Sequence, residues 1–383
     1  MSDRQKSLND TAWEELFEKH DILTHIERTG QFQISAKQIK EVREPRLMAK
    51  FDHTINLPQI FADNNLCILP VTRGDYVISH FDAYHKFEPD NSPITRVSLP
   101  TYIQSLDSSN IPSEAIALNC AVAAGIIADF LGDEEIVSTV SGLSRVTVNN
   151  SQIEIDAAYE GIRSLALFEA KRDLSEDFLV RQLYYPYRVW KNRMTKPVRT
   201  LFLVYSNGIY RIYEYAFTDP NNYSSIALVQ QKNYSVEDTA ITADDIQQVL
   251  HNAVCENEPQ IPFPQADSFE RVINICELLD DQDLSRNDVT ERYAFDARQT
   301  NYYTDAARYL GLIEKERENG GPLYRLTDKG RTILKMGYKQ RQLAFCGAVL
   351  SHSAFADTLK SYFETGVMPQ KNDIVQIMRR SNL

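Results

Sequence analysis

The stretch IEIDAAYEGIRSLALFEAKRD, residues 153–173, decides how the chain is interpreted, because it sets acids and a lysine among apolar runs. The apolar runs predict two strands, over residues 152–158 and 165–171. Asp156 precedes Glu169 in this stretch, and Lys171 follows Glu169 by two positions. Side chains two apart on a strand share a face, so we expect Glu169 and Lys171 to project together.

The place of Asp156 depends on the turn between these strands. A tight hairpin centred at Gly161 would pair Asp156 nearer to Ala166 than to Glu169. We therefore expect a bulge or an offset within residues 159–163 that brings the two acids together. Two convergent carboxylates with a backbone carbonyl suit Mg²⁺, which keeps water in its remaining positions. A lysine beside them would position the attacking water or offset charge that builds on a phosphate oxygen.

The segments IEIDAAYEG and LALFEAK resemble the core motif of the PD-(D/E)XK nuclease superfamily, the fold of most type II restriction endonucleases. In that family a strand pair carries Asp and then Glu-x-Lys, and a helix follows. The resemblance covers residues 152–217. It implies that Asp156 and Glu169 bind Mg²⁺ together with the carbonyl of Ala170, and that Lys171 is the catalytic lysine.

Two neighbouring acids leave alternatives open. The proline of the family motif is absent, since Ile155 precedes Asp156. Glu154 shares a predicted strand face with Asp156 and is either a third carboxylate or a surface residue. Glu160 is a rival for the role of first metal ligand.

A basic helix is predicted next, over residues 176–192, and contains the segment FLVRQLYYPYRVWKNR. In related nucleases a glutamine on this helix lies beside the metal, so the resemblance makes Gln182 a supporting catalytic candidate. Arg181 and Arg188 are candidate DNA contacts on successive turns. Pro186 is expected to kink the helix or to shift its start.

Other elements are predicted on both sides of this motif. Helices are expected over residues 11–30, 33–50 and 112–132, with Ser35 as an N-cap, and strands are expected around the turn 72–75. Strands over residues 200–206 and 209–217 are joined by the hairpin signal Asn207–Gly208. Three cations form either a phosphate-contacting face or an ordinary solvated surface: Arg43, Arg46 and Lys50.

The segment NEPQIPFPQADS, residues 257–268, predicts a linker into a second domain. Short helices follow, with Ser285 and Asp288 in a capping arrangement, and residues 319–322 are typical of a hairpin tip. Three helices with a hairpin are the arrangement of a winged helix-turn-helix.

The third helix of that domain is the predicted recognition helix. Its early side chains are of types that contact base edges or phosphates: Arg298, Gln299, Asn301 and Tyr302. Its later apolar residues are expected in the domain core: Ala306, Ala307, Leu310 and Leu312. The alternative is a winged helix used for dimerisation or for packing within the chain.

Composition is compatible with this interpretation. The 383 residues carry a net charge of -12, which argues at first against a nucleic-acid partner. The excess is local, because residues 236–291 contain 14 acids and 2 arginines, whereas residues 171–199 contain 8 cations and 3 acids. The 5 cysteines show no CxxC spacing, which favours reduced, mostly buried thiols. The start of the chain lacks the pattern of a signal peptide, and a cytoplasmic location is expected.

These observations predict an α/β (α+β) protein, with a restriction-endonuclease-like mixed sheet flanked by helices and a winged helix-turn-helix domain. The expected parts are residues 1–256, a linker at 257–267, the winged helix at 268–340 and a helical extension at 341–383.

The expected activity is Mg²⁺-dependent, sequence-specific cleavage of double-stranded DNA. By resemblance, water would attack a backbone phosphate in line and leave 5′-phosphate ends. A homodimer is expected because two strands are cut, and a companion DNA methyltransferase would act on the same site. The alternatives are a non-catalytic winged-helix DNA-binding regulator and a structure-specific repair or recombination nuclease.

Overall fold

The computed structural model describes residues 6–89, 92–133, 135–141, 146–148, 151–153, 155–236, 240–292, 297–318 and 321–381. Glu154, one of the alternative carboxylates, lies outside these residues. Asn319 and Gly320, at the predicted hairpin tip, lie outside them as well.

The first part of the chain packs short helices against a small antiparallel sheet. Its elements are α1 (Leu8–Lys19), α2 (Ile22–Thr29), β1 (Gln31–Ser35), α3 (Ala36–Lys40), α4 (Pro45–Ala49), a 3-10 turn (Thr54–Asn56), α5 (Gln59–Asp63), β2 (Cys67–Pro70) and β3 (Asp75–Ser79). Strand β3 lies between β1 and β2. The apolar faces meet in a core around Trp13, Leu16 and Phe61, all fully buried. The turn predicted at residues 72–75 is confirmed, since Thr72 Oγ1 donates to Asp75 Oδ2 at 2.7 Å.

The single helix predicted over residues 33–50 is wrong. Ser35 caps a helix as expected, through a reciprocal capping box with Gln38, but the residues before it form β1 and pair with β3. The second break precedes Pro45, which begins α4 because proline has no N–H to continue a helix. The helix predicted over residues 11–30 is likewise two helices, with Asp21 in the left-handed conformation between them.

The middle of the chain forms the main sheet and its helices. Its elements are β4 (Tyr84–Lys86), β5 (Ile94–Val97), α6 (Glu114–Ala123), α7 (Ile126–Leu131), β6 (Ile136–Ser141), β7 (Val146–Val148), β8 (Ser151–Ile153), β9 (Ala157–Gly161), β10 (Leu165–Lys171), β11 (Asp177–Leu179), α8 (Arg181–Lys191), β12 (Val198–Ser206), β13 (Ile209–Phe217) and β14 (Ile226–Val236). Within the described residues, seven strands form one sheet in the order β5-β14-β13-β12-β10-β9-β6. Strand β10 runs parallel to β12 and antiparallel to β9, so the sheet is mixed.

Helices cover both faces of this sheet. Strand residues alternate between faces, so Leu201 and Leu203 pack under α6 and α7, whereas Phe202 and Val204 pack under α8. The predicted large mixed sheet flanked by helices is therefore confirmed.

Three predicted boundaries in this region are wrong. The helix expected over residues 112–132 breaks at Gly125, whose φ of 74° is left-handed. The helix expected from residue 176 begins only at Arg181, because residues Asp177–Leu179 pair with β4 as β11. The strand expected over residues 152–158 is divided between β8 and β9, and Asp156 precedes β9.

The predicted hairpin at Asn207–Gly208 is confirmed. Both residues have positive φ, 53° and 74°, as a two-residue turn of this type requires. Pro186 lies inside α8, where it leaves the Gln182 carbonyl without a helical N–H donor.

The last part of the chain is helical with a small sheet. Its elements are α9 (Ala243–Asn252), α10 (Phe269–Asp281), β15 (Leu284–Ser285), α11 (Arg286–Arg292), α12 (Ala297–Tyr309), β16 (Ile313–Glu318), β17 (Gly321–Leu326), α13 (Asp328–Leu334), α14 (Tyr338–Leu350), α15 (Ser353–Thr365) and α16 (Lys371–Arg380). Residues 253–268, which include the predicted linker, contain no helix or strand. Strand β17 lies between β15 and β16.

Several smaller details agree with the sequence. The Ser285–Asp288 cap is confirmed by reciprocal bonds of 3.1 Å. Cys67, Cys120 and Cys276 are buried free thiols. Across the described ranges, no helix is both long and apolar enough to cross a membrane.

Candidate functional site

The register of the β9–β10 hairpin brings the two acids together. Ala157 pairs with Phe168 and Glu160 with Leu165, so one further step sets Asp156 across from Glu169. The turn is formed by residues 161–164 and closes with a 3.0 Å bond between the N–H of Gly161 and the carbonyl of Ser164. The expected offset is therefore confirmed, and it arises because the turn is centred beyond Gly161.

Three side chains converge through Glu169, which lies on the face of β10 that α8 covers. Lys171 Nζ donates to Glu169 Oε1 at 2.5 Å, and Gln182 Nε2 donates to the same oxygen at 2.6 Å. Lys171 and Glu169 are two apart on one strand, as predicted, and Gln182 reaches them from the first turn of α8. Both hydrogen bonds use Oε1 of Glu169. Its other oxygen, Oε2, would therefore be the one to bind a metal cation.

The side chain of Asp156 is held by a main-chain group of β10, the strand that carries Glu169 and Lys171. Its Oδ2 accepts a 2.8 Å hydrogen bond from the N–H of Ala170. The N–H and the carbonyl of one strand residue face the same neighbour in an antiparallel ladder, so the Ala170 carbonyl faces the Asp156 side. The two carboxylates and this carbonyl therefore lie at one end of the β9–β10 pair.

Burial and charge together set the protonation of this group. Burial, and then the negative charges of Asp156 and Asp52, raise the pKa of Glu169 to about 7, and Lys171 opposes the shift. Burial works against the charge of Lys171, but Glu169 and Asp156 outweigh it, so the pKa of Lys171 is raised. Lys171 is therefore an ammonium ion at neutral pH and acts here as a cation.

A second buried charge cluster adjoins the first. His53 Nδ1 lies 3.1 Å from Asp177 Oδ1, and His53 Nε2 lies 3.7 Å from Asp173 Oδ2. Burial lowers the pKa of His53, but its bonds to Asp173 and Asp177 prevail and raise it to about 10. Asp173 follows Lys171 by two positions and raises its pKa. Once Glu169 is ionised, above a pH of about 7, charges thus alternate in sign from Glu169 through Lys171 and Asp173 to His53.

The donor set fits a hard cation of the Mg²⁺ type in part. Two carboxylates and a main-chain carbonyl are oxygen ligands, and Mg²⁺ commonly takes few protein ligands and keeps waters. In the part of the chain that is described, no cluster of three or more His, Cys, Asp or Glu side chains is arranged to hold a metal ion. Any cation here would therefore rest on Asp156, Glu169 and the carbonyl of Ala170, with water completing its shell.

The rival ligand Glu160 lies elsewhere. It is four residues along the hairpin from the Asp156–Glu169 step, or about 13 Å at strand spacing. Its carboxylate pairs with Lys196 at 2.8 Å. Glu160 is therefore remote from Glu169 and Lys171, whereas Asp156 lies across from Glu169.

The two arginines predicted on α8 differ. Arg181 is half-buried and lines a surface cleft. Arg188 is turned towards the loop after β13, where its Nη1 donates to the carbonyl of Pro220 at 2.5 Å and to Asn221 at 2.9 Å. Arg188 therefore holds the loop after β13 against α8, a structural role that the sequence did not indicate.

Helix α12 is amphipathic, as the sequence predicted. Ala306, Ala307, Leu310 and Leu312 are buried in the core of the last part of the chain. Arg298 is exposed, and its Nε donates to the hydroxyl of Tyr302 at 2.5 Å. The remaining two candidates, Gln299 and Asn301, are half-buried.

A buried polar contact joins α10 to the exit of β10, and we call it the α10 seam. Asn274 is fully buried; its Oδ1 accepts from the N–H of Leu174 at 3.0 Å, and its Nδ2 donates to the carbonyl of Arg172 at 2.9 Å. Glu277 accepts from the N–H of Asn207 at 2.8 Å. The last part of the chain is thus held to the segment that directly follows Lys171.

Sequence reasoning missed these supporting residues: Asp52, His53, Asp173, Asp177, Asn274 and Glu277. Each lies far along the chain from the partner it meets or is an ordinary polar residue between apolar ones.

Three family models match successive parts of the chain. Residues 10–78 match a domain of unknown function (DUF6996), residues 79–235 match another (DUF6997), and residues 271–383 match a third (DUF7226). The second contains the whole carboxylate and lysine group, and the third contains α12. No curated protein and no solved structure matches the chain.

Proposed function

We propose that this protein is a Mg²⁺-dependent DNA endonuclease of the PD-(D/E)XK type, with the main sheet as its nuclease core. One observation carries the proposal: Asp156 is bonded to the strand that presents Glu169 and Lys171, and Gln182 joins them on Glu169 Oε1. Helix α8 follows that strand, and β12 returns parallel beside it, as expected of a crossover unit. This order supports a restriction-endonuclease-like core.

Each residue has a role in the proposed reaction. Asp156, Glu169 and the carbonyl of Ala170 would hold Mg²⁺, which would supply Lewis-acid polarisation of the scissile phosphate. Lys171 is a cation beside that position, so it would stabilise the charge that develops on the phosphate oxygens. Gln182 orients the Glu169 carboxylate by donating to one of its oxygens.

We propose that the last part of the chain is a winged helix that reads DNA sequence. Its order α10-β15-α11-α12-β16-β17, with a hairpin after the third helix, supports this assignment. Helix α12 would enter the major groove with Arg298, Gln299, Asn301 and Tyr302. A homodimer would bring two such sites to the two strands of a duplex, and a methyltransferase of matching specificity would protect the host.

The test is cleavage of a supercoiled plasmid of mixed sequence with Mg²⁺. Discrete fragments would support a sequence-specific endonuclease, and a smear or branch-dependent cutting would support a repair nuclease instead. Asp156→Asn and Lys171→Ala should each lower the cleavage rate by about 10²-fold or more. Glu160→Gln is the matched control, since this acid lies on the same hairpin and pairs with Lys196.

Two outcomes would count against the proposal. Cleavage at the wild-type rate in Asp156→Asn or Lys171→Ala would overturn the site. Intact DNA under every condition, together with sequence-dependent binding, would favour the non-catalytic regulator.

A further inference from the structure

A cation-lined cleft lies on the surface where α3, α4 and the β2–β3 turn meet the start of α8. We call it the basic cleft, and its volume is about 630 Å³. That volume lies within the range of pockets that hold small molecules or segments of larger ligands. Six cationic side chains line it: Lys37, Lys40, Arg46, Lys50, Arg73 and Arg181.

Two of these cations belong to the phosphate-contacting face that the sequence suggested. Arg46 and Lys50 line the basic cleft, whereas Arg43 donates through Nη1 to Asn9 Oδ1 at 2.7 Å. The cations that join Arg46 and Lys50 come from α3, from the β2–β3 turn and from α8, so only the fold gathers them.

Negative charge is scarce in the basic cleft. Glu44 is the one acid among its lining residues. Within the described residues, Lys50 is the one lining cation that pairs with a carboxylate, that of Asp52 at 3.6 Å. Several like charges around one concavity repel each other unless an anion offsets them. In a chain of net charge -12, this concentration of cations favours a polyanionic ligand.

The basic cleft adjoins the candidate site through α8. Arg181 lines the cleft, and the next residue, Gln182, donates to Glu169. Tyr185, one turn further along α8, donates its hydroxyl to the carbonyl of Pro70 at 3.0 Å, and Pro70 belongs to the cleft wall. Consecutive residues at the start of α8 therefore belong to the cleft and to the candidate site.

We propose that the basic cleft binds consecutive phosphates of the DNA strand that enters the candidate site. This inference rests on the proposed function and adds the path of the substrate across the first part of the chain. A free nucleotide shares the phosphate chemistry. However, five of the six cations are exposed, all but Arg181, and they are spread along an open surface, which suits an extended backbone.

The test measures binding without cleavage. A fluorescent duplex of mixed sequence is titrated with protein in EDTA, and the dissociation constant is followed against salt concentration. For Arg46→Ala/Arg73→Ala we expect at least about tenfold weaker binding and a slope of log K against log salt that is smaller by about 1.8, because each lost phosphate contact contributes about 0.9. Arg28→Ala is the control, an exposed arginine on α2 outside the cleft.

The outcomes separate this inference from the proposed function. An unchanged affinity and salt slope in Arg46→Ala/Arg73→Ala, with its melting temperature retained, would overturn the cleft as a DNA contact. Tighter binding of adenosine triphosphate than of duplex, lost in the same variant, would overturn DNA in favour of a free nucleotide. If the variant shows the smaller salt slope but the wild-type protein cuts no DNA, the cleft is supported as a DNA contact and the nuclease proposal is rejected.

Discussion

The protonation of Glu169 is central to the chemistry of the candidate site, because its carboxylate is buried among other charges. Its pKa is about 7 against an ordinary 4.5. Folding therefore favours the neutral acid. The stabilisation from that group is complete below pH 4.5 and is lost as the pH rises through about 7. A divalent cation needs the ionised form, so it must displace a proton below neutrality.

This linkage predicts how Mg²⁺ changes thermal stability. Saturating Mg²⁺ should raise the melting temperature more at pH 8 than at pH 6, because Glu169 is mostly ionised only at the higher pH. The measurement is a thermal unfolding curve with Mg²⁺ and with EDTA at each pH. Glu169→Gln should remove the Mg²⁺ effect at both values, and Glu160→Gln should retain it. An equal increase at pH 6 and pH 8 would show that Glu169 is not the titrating ligand.

At this scale the sequence predicted which side chains meet, but not how they are held. The two-residue spacing dictates that Glu169 and Lys171 share a face, and the structure agrees. The bond from Asp156 to the N–H of Ala170 follows from where the turn is centred, and residues 161–164 carry no decisive turn signal. The His53 contacts join residues more than a hundred positions apart, beyond the reach of local patterns.

The β12–β13 hairpin is an element whose turn also makes a tertiary contact. Gly208 has a φ of 74°, and a Cβ atom there would lie 2.9 Å from Tyr338 Cδ2 at the start of α14. The glycine is thus required twice, once by the turn and once by close approach of the last part of the chain.

Substitution at this turn should separate the two requirements. Gly208→Ala should lower the free energy of unfolding by about 2 to 5 kcal/mol, from left-handed backbone strain together with the clash. Gly30→Ala is matched for strain, with a φ of 80°, but has no atom within 4 Å of the added Cβ. It should cost only about 1 to 2 kcal/mol. Chemical denaturation measures both, and equal losses would mean that the Tyr338 contact has no energetic weight.

Strands and helices that are bounded by local turn or cap signals can be predicted from the sequence. Strands that form only by pairing with a distant strand cannot. Asn207–Gly208 specifies its own turn, and the two flanking strands expected from it are confirmed. Residues Gln31–Ser35 are polar at three of five positions and form β1 only because β3 lies beside them. Strand β11 depends in the same way on β4.

For the whole molecule, the α10 seam decides how the last part of the chain meets the main sheet. Asn274 is buried and Glu277 is half-buried, and both bond to groups of the main sheet and its loops. Buried polar atoms cost free energy when their partners are lost, so the seam fixes one arrangement of the two parts.

Replacing the central amide should weaken this arrangement. Asn274→Leu keeps a similar volume but leaves the N–H of Leu174 and the carbonyl of Arg172 unpaired, at roughly 1 to 3 kcal/mol for each group. We expect a lower melting temperature and faster proteolysis within residues 253–268, which have no helix or strand. Asn287→Leu, at an exposed asparagine on α11, should change neither. Equal melting temperatures and equal proteolysis rates in the two variants would contradict a stabilising role for the α10 seam.

At this largest scale the sequence indicated separate parts but not their contact. The proline-rich segment predicted a break, and the apolar pattern predicted helices after it. Nothing local marks Asn274 as a buried contact, because an asparagine in a helix is read as an exposed residue unless its distant partner is known.

Three partners of the α10 seam are main-chain groups, at Arg172, Leu174 and Asn207, and the hydroxyl of Ser206 also donates to Glu277 Oε2 at 2.6 Å. A main-chain group is present whatever side chain its residue carries, so those three positions are free to drift as far as the seam is concerned. Asn274 and Glu277 are not, because no other side chains offer the same donors and acceptors at the same reach. Among homologues, invariance should therefore concentrate on Asn274, Glu277 and Ser206, whose side chains make the contact, rather than on Arg172, Leu174 and Asn207.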